Sequence, residues 1–183
     1  MKFEKTKLDG VYIVSREPFE DERGTFARMF CKRELEAAGL RGDIAQVNIS
    51  TNSLKGTLRG LHTQTGEFAE DKFIACVRGA VFDVAVDVRE GSATFGQWVG
   101  AELSEENCKA LYVPKGFAHG YLTLADDAWV QYFVTQFYEP GAERAYRYDD
   151  PAFGIEWMGE IKVVSRKDTN RDFVSNREDR LND

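Results

Sequence analysis

The stretch AVFDVAVDVR, residues 80–89, constrains the fold more than any other. Read as a strand, it puts Phe82, Val84, Val86 and Val88 on one face and Val81, Asp83, Ala85 and Asp87 on the other. A strand this apolar needs partners, and the sequence supplies them. ALYVP (110–114) and AHGYLTL (118–124) flank a Pro-Lys-Gly turn. AWVQYFVTQFY (128–138) is longer, with Val130, Tyr132, Val134, Gln136 and Tyr138 on one face. Such runs at short intervals predict a sandwich or barrel. Helical signal is scarce. CKRELEAAGL (31–40) has Leu35 and Ala38 at helical spacing and Gly39 as a stop, SEENC (104–108) suits one turn with Ser104 as its N-cap, and the polar stretch from Ser165 onward is short helix or irregular. The expectation is one all-β domain over residues 1–183 with a few short helices.

Composition narrows what such a domain can do. At 183 residues the chain is long enough to bury a real core. Its formal charge of −7 argues against nucleic acid as a bulk partner, which needs a basic footprint, but not against a small anion held by a few arginines. No segment approaches the ~20 apolar residues of a membrane span, and the N-terminus lacks the apolar run of a signal peptide. Three cysteines without C-x-x-C spacing read as reduced thiols, so the expected location is cytoplasmic.

There are two histidines, His62 in KGTLRGLHTQ and His119 in VPKGFAHGYL. Taken singly, each reads more readily as a structural residue than as a catalytic one. Taken together with Lys72 and Tyr132, they form a set that one barrel can gather into a cavity, because neighbouring strands lie only about 4.8 Å apart. A histidine can remove a proton near neutral pH, a lysine can stabilise an enolate oxygen, and a tyrosine can return a proton. Arg23 and Arg59 suit a phosphate. Asp83 either faces solvent or lines the cavity, and the cavity is the expectation. No H-x-H pair or clustered ligand set is present, so no metal is expected. Arg59 and His62, three residues apart, would fall on opposite faces of a regular strand, so a bulge or strand end is expected near Gly60.

Six blocks then occur in a definite order: DERGTF, GTLRGLHTQ, the long run from KFIACVRG to ELSEEN, LYVPKGFAHGYLTL, YFVTQFYEP and YRYDDPAFGIEW. In these, from about residue 5 to residue 170, the chain resembles the dTDP-4-dehydrorhamnose 3,5-epimerases, the RmlC-like cupins. The resemblance implies a cupin-type jelly-roll β-barrel, a homodimer, no cofactor or metal, and an isomerase acting on a nucleotide-diphosphate 4-keto-6-deoxy sugar. It implies that His62 is the base, Asp168 the carboxylate that orients it, Lys72 the residue facing the C4 oxygen, and Tyr132 the acid on the opposite face of the ring. It implies substrate contacts from Arg23, Arg59, His119, Gln46, Asn48, Phe19 and Tyr138. For the dimer, GVYIVS (10–15) is expected to form a strand that pairs across subunits.

Three positions depart from the family pattern. Arg28 stands where a carboxylate is usual, and an arginine donates only, to the N3 of cytosine, to a phosphate or to water. Thr63 replaces a common aromatic residue, and Phe133 a lysine. Rival functions follow: a single-carbon epimerase on a CDP-linked or dideoxy keto sugar, a non-catalytic sugar-nucleotide-binding cupin, or a metal-dependent cupin dioxygenase. Retention of His62 and Tyr132 opposes the second, and the missing ligand cluster opposes the third.

Overall fold

A computed structural model describes residues 1–174. Its strands, in chain order, are β1 (Lys2–Lys5), β2 (Tyr12–Ser15), β3 (Phe19–Asp21), β4 (Gly24–Phe26), β5 (Gln46–Asn52), β6 (Thr57–Gln64), β7 (Lys72–Arg78), β8 (Ala80–Asp87), β9 (Trp98–Ser104), β10 (Lys109–Val113), β11 (Phe117–Thr123), β12 (Ala128–Val134), β13 (Glu143–Ala145) and β14 (Val163–Val164). Two short helices, α1 (Lys32–Ala37) and α2 (Arg166–Thr169), accompany them. One sheet has the order β1-β2-β10-β7-β12-β5 and the other β13-β6-β11-β8-β9, with β14 added to β6 and β3–β4 a separate hairpin. Strands distant in sequence lie side by side, as in a β jelly roll.

The alternation in the sequence explains the layers. Val81 and Ala85 of β8 enter the core between the sheets, where they meet Ile74, Leu111 and Val130. Phe82, Val84 and Val86 point the other way, into a layer behind the second sheet with Leu61, Phe153 and Trp157. Both faces of β8 are buried, which is why the run is apolar at nearly every position. β7 divides likewise. Ile74 and Cys76 face the core between the sheets, while Phe73 and Ala75 face a third cluster with Leu35 and Phe133. The six-residue α1 has no side-chain N-cap and is too short to hold itself. Burial of Leu35, worth about 2 kcal/mol, pins it to the outer face of the first sheet.

β6 is irregular where expected. Its pairing with β11 matches His119 to His62 but Tyr121 to Arg59, so the register slips by one. Gly60, with φ +121 and a cis bond to Leu61, lies at the slip. A Cβ at Gly60 would stand 2.5 Å from the Gly120 Cα, and one at Gly120 would stand 2.7 Å from the Arg59 carbonyl oxygen. Two facing glycines thus let the backbones close together, and the slip leaves Arg59 and His62 lining one cleft while Leu61 points into the layer behind.

SEENC is a single turn with Ser104 capping its start: the Cys108 N–H donates to the Ser104 carbonyl at 3.2 Å, the Ser104 hydroxyl accepts from the Asn107 N–H at 3.0 Å and the Asn107 side chain accepts from the Ser104 N–H at 3.0 Å. It carries the chain from β9 in the second sheet to β10 in the first. Two expectations need correction. GVYIVS forms β2, but β1 and β10 of the same chain occupy both its edges, so it has no edge left for another subunit. The strand through Tyr132 ends at Val134, so Gln136 and Tyr138 do not continue its face. The polar C-terminal stretch is helical over Arg166–Thr169, and its residues 175–183 lie outside the described residues.

Candidate active site

Between the two sheets lies a cleft of about 520 Å³ lined by Arg59, His62, Lys72, His119, Tyr132 and Asp168, with Ser50, Tyr121, Ser165 and Lys167 among its other walls. Each chemical group arrives there by strand alternation. Lys72 shares the inner face of β7 with Ile74 and Cys76, and Tyr132 shares that of β12 with Val130. His62 and Arg59 come from β6, and His119 from β11. The first sheet therefore contributes Lys72 and Tyr132, and the second, facing it, contributes His62 and His119. A second compartment of about 420 Å³, lined by Gln46, Asn48, Glu70, Val134 and Tyr138, shares Lys72 and Tyr132 with the first. Those two residues stand where the compartments join.

Both histidines are paired with carboxylates. The Nε2 of His62 lies 2.8 Å from the Asp168 Oδ1. Burial works against ionisation of Asp168, but hydrogen bonds from His62, Ser165 and the Gly60 backbone outweigh it and leave its pKa below the ordinary value. An ionised carboxylate on one ring nitrogen fixes the tautomer and leaves the other nitrogen as the base. Asp83, as expected, faces inward. It is fully buried, 2.9 Å from His119 Nε2, and burial raises its pKa despite that partner. The Tyr132 phenol has its pKa pushed well above 10, first by burial and then by Tyr121, so it carries its proton at neutral pH. Arg59 Nε donates to the Asn52 Oδ1 at 2.8 Å. Asn52 in turn donates to the Tyr121 hydroxyl at 3.2 Å, and Ser50 shares a hydrogen bond with that hydroxyl at 2.9 Å.

The remaining candidates do not join this cleft. Phe19 and Arg23 lie on the β3–β4 hairpin beside an exposed hollow of about 470 Å³. Arg23 is held by Asp21, and Phe19 is 67% exposed. Arg28 turns away, donating to the Glu34 Oε1 at 2.7 Å. The other two departures also leave the cleft untouched. Phe133 is on the outer face of the first sheet, stacked on Phe30 with centroids 5.4 Å apart. Thr63 lines a larger hollow of about 910 Å³ with Val88, Arg144 and Tyr146. That hollow lacks the facing base and acid.

Sequence reasoning missed Glu143 and Lys167. Glu143, on β13, accepts from the Tyr138 hydroxyl at 2.6 Å. Its Oε1 stands 2.6 Å from Lys167 Nζ, close enough for an ion pair though poorly angled for a hydrogen bond. Burial opposes the charge on Glu143, but Lys167 and Tyr138 prevail and lower its pKa. Lys167 stands next to Asp168 in SRKD and was findable on that ground; nothing in the sequence near Glu143 points to it. Glu70 was also missed; its Oε1 accepts from Lys72 Nζ. Among the described residues, no group of three or more His, Cys, Asp or Glu side chains is placed to hold a metal ion.

A family model described as dTDP-4-dehydrorhamnose 3,5-epimerase matches residues 5–176. The dTDP-4-dehydrorhamnose 3,5-epimerase of Methanothermobacter thermautotrophicus is 42% identical over 172 residues, covering 92% of this chain and 92% of its own length. The crystal structure of dTDP-4-dehydrorhamnose 3,5-epimerase from Elizabethkingia anophelis superposes with a TM-score of 0.90 at 41% identity, covering 97% of this chain and 98% of its own. The dTDP-6-deoxy-D-glucose-3,5-epimerase from Legionella pneumophila, solved in complex with dTDP-4-keto-L-rhamnose, superposes with a TM-score of 0.91 at 40% identity, covering 98% of this chain and 96% of its own.

Proposed function

Since the chain belongs to the dTDP-4-dehydrorhamnose 3,5-epimerase family, whose members are cupin-type jelly rolls, we propose that the cleft inverts C3 and C5 of dTDP-4-keto-6-deoxyglucose. The protein is a nucleotide-sugar epimerase, an isomerase. The observation that carries the mechanism is the placing of His62 and Tyr132 on facing sheets of one cleft. The C4 carbonyl acidifies the protons on C3 and C5. His62, held by Asp168, removes one of these protons from its side of the ring. Lys72 stands beside the resulting enolate oxygen and stabilises its charge. Tyr132, kept protonated by burial, returns a proton from the other side, and the carbon is inverted. Exchange with water takes the proton from His62 and restores the one on Tyr132, and repetition at the second carbon then completes the reaction. Arg59 and His119 hold the diphosphate and sugar in the first compartment. Gln46, Asn48 and Tyr138 contact the nucleotide or sugar in the second, with Glu143 and Lys167 bracing Tyr138.

The protein works as a homodimer. Phe19 and Phe26 on the β3–β4 hairpin are 67% and 74% exposed, and Val47 and Ile49 on the outermost strand β5 are 51% and 54% exposed. Exposed apolar groups of this size mark an association surface. Association would also give Phe19 and Arg23, which lie outside their own cleft, a second cleft to reach. Light scattering at micromolar concentration tests this: a dimer is expected, and a monomer alone contradicts it. A cytoplasmic location fits the three unpaired thiols. No helix of the described residues is long and apolar enough to cross a membrane.

The test of the activity is direct. With dTDP-4-keto-6-deoxyglucose as substrate, NMR of the product is expected to show inversion at both C3 and C5. A product inverted at one carbon only makes the protein a single-carbon epimerase, and an unchanged substrate refutes the reading.

A further inference from the structure

Lys72 is the group on which enolate stabilisation rests, and a lysine is poorly suited to hold one place unaided. Its four-carbon stem has many rotamers, and its ammonium keeps a fixed position only if something accepts from it. In this cleft the acceptor is Glu70: the Lys72 ammonium donates to Glu70 Oε1. Both side chains are nearly out of solvent, 12% and 9% exposed, and both line the compartment shared with Tyr132. The segment that carries Glu70 is itself anchored. Asp71, between the two, points the opposite way and is buried. It accepts from Arg41 at 3.3 Å, from the Thr135 hydroxyl at 3.3 Å and from the Lys115 N–H at 3.2 Å. Its own N–H donates to Thr135 Oγ1 at 2.9 Å, and its carbonyl accepts from the Thr135 N–H at 3.1 Å. The end of β12 thereby fixes the backbone on which both Glu70 and Lys72 stand.

We propose that Glu70 is the positioning residue for Lys72, holding the ammonium at the junction of the two compartments where the C4 oxygen of the substrate lies. This rests on the reading of Lys72 given above. Two features favour function over stability. A desolvated ion pair contributes little net stability, and it is costly to place in a cleft unless its members are used there. Apart from Lys72, no described side chain accepts from or donates to Glu70, so the carboxylate has no structural duty elsewhere.

The test is a set of variants read by steady-state kinetics on dTDP-4-keto-6-deoxyglucose, with melting temperature and dTDP affinity measured on each. Loss of a group that places a charge at the reacting centre costs about 10- to 100-fold. Glu70→Ala is expected to lower kcat by that factor with KM within about threefold of wild type. Glu70→Gln keeps an oxygen that accepts from the ammonium, and is expected to stay within about threefold of wild type. Glu70→Asp keeps the charge but draws it back by one carbon, roughly 1.5 Å, and is expected to fall as Glu70→Ala does. The double variant Glu70→Ala/Lys72→Ala is expected to be no slower than Lys72→Ala alone, since Glu70 acts only through Lys72. Wild-type kcat in Glu70→Ala overturns the proposal, as does an additive double variant. A wild-type Glu70→Asp with an impaired Glu70→Gln also overturns it, because charge balance and not placement would then be the role. If Glu70→Ala fails to fold, the Gln and Asp variants decide alone. Wild-type activity in Lys72→Ala overturns the reading of Lys72 itself, and is recognised whatever the Glu70 variants do.

Discussion

Replacing Tyr132 by phenylalanine separates the two halves of the proposed reaction. The Tyr132 ring packs edge-on against His119, centroids 6.0 Å apart at 82°, and lies tilted at 45° against Tyr121, centroids 6.5 Å apart. Phenylalanine keeps both contacts and removes only the hydroxyl. The stability change is therefore that of one hydrogen-bonding group, about 1 kcal/mol at most, or roughly 2–4 °C in Tm for a chain of this size. The change in rate is far larger. A positioned acid contributes about 10²–10⁴-fold, which is about 2.7–5.4 kcal/mol of barrier. The base is untouched, because His62 and Asp168 sit on the opposite side of the cleft, 2.8 Å from each other. In D₂O the variant is expected to take deuterium into the substrate on the face that His62 reaches, with retention of configuration, while inversion falls at least 100-fold. NMR resolves the two at C3 and C5. Deuterium uptake falling in step with inversion, at unchanged Tm, would refute the division into base and acid. So would inversion at more than a tenth of the wild-type rate.

Three further outcomes follow from the geometry. Arg28 is held by Glu34 and faces away from the cleft, so Arg28→Ala is expected to leave the preference for dTDP over CDP in calorimetric titration within twofold of wild type; a reversed preference would place Arg28 on the base. Gly60→Ala forces a Cβ to within 2.5 Å of the Gly120 Cα at a φ of +121, and a loss of about 1–3 kcal/mol in urea unfolding is expected, with lower activity; an unchanged midpoint would contradict the close approach. The pKa of Asp168 in the folded chain lies below 3.8, so the native state binds that proton less tightly than the unfolded chain does, and its contribution to stability is present above about pH 4 and lost as pH falls through the folded value. The difference in unfolding free energy between wild type and Asp168→Asn should therefore be present at pH 5 and shrink below pH 4, and a difference unchanged down to pH 2 would rule out an ionised partner for His62.

Legibility in the sequence followed the physics of each signal. The strands were readable because apolar residues at period two leave few alternatives, and β8, buried on both faces, was the plainest. The irregularity at Gly60 was readable once the family motif and their chemistry put Arg59 and His62 in one cleft, since their spacing allows that only if the strand slips between them. Asp168 is 106 residues from His62, and periodicity cannot link them; the family motif did. The turn at SEENC was readable because a serine side chain that accepts from the N–H three residues on is a local signal, independent of tertiary partners. GVYIVS was assigned to another subunit because a strand signal carries no information about its partners. Glu70 and Glu143 stayed hidden for a related reason. Glu70 matters through Lys72, two residues on, and Glu143 through Tyr138 and Lys167, and a lone glutamate in a loop or on a short strand looks like any solvated charge.

The central claim is that His62 is the base for both carbons. It is tested most directly by incubating His62→Asn with dTDP-4-keto-6-deoxyglucose in D₂O, beside the wild-type protein. Asparagine retains a hydrogen bond to Asp168 but cannot take up a proton near neutral pH. The wild type is expected to place deuterium at C3 and C5, and the variant at neither, while dTDP binding measured by calorimetry stays within about threefold, since Arg59 and the second compartment are unchanged. Deuterium entering either carbon of the sugar at the wild-type rate in His62→Asn would contradict the account.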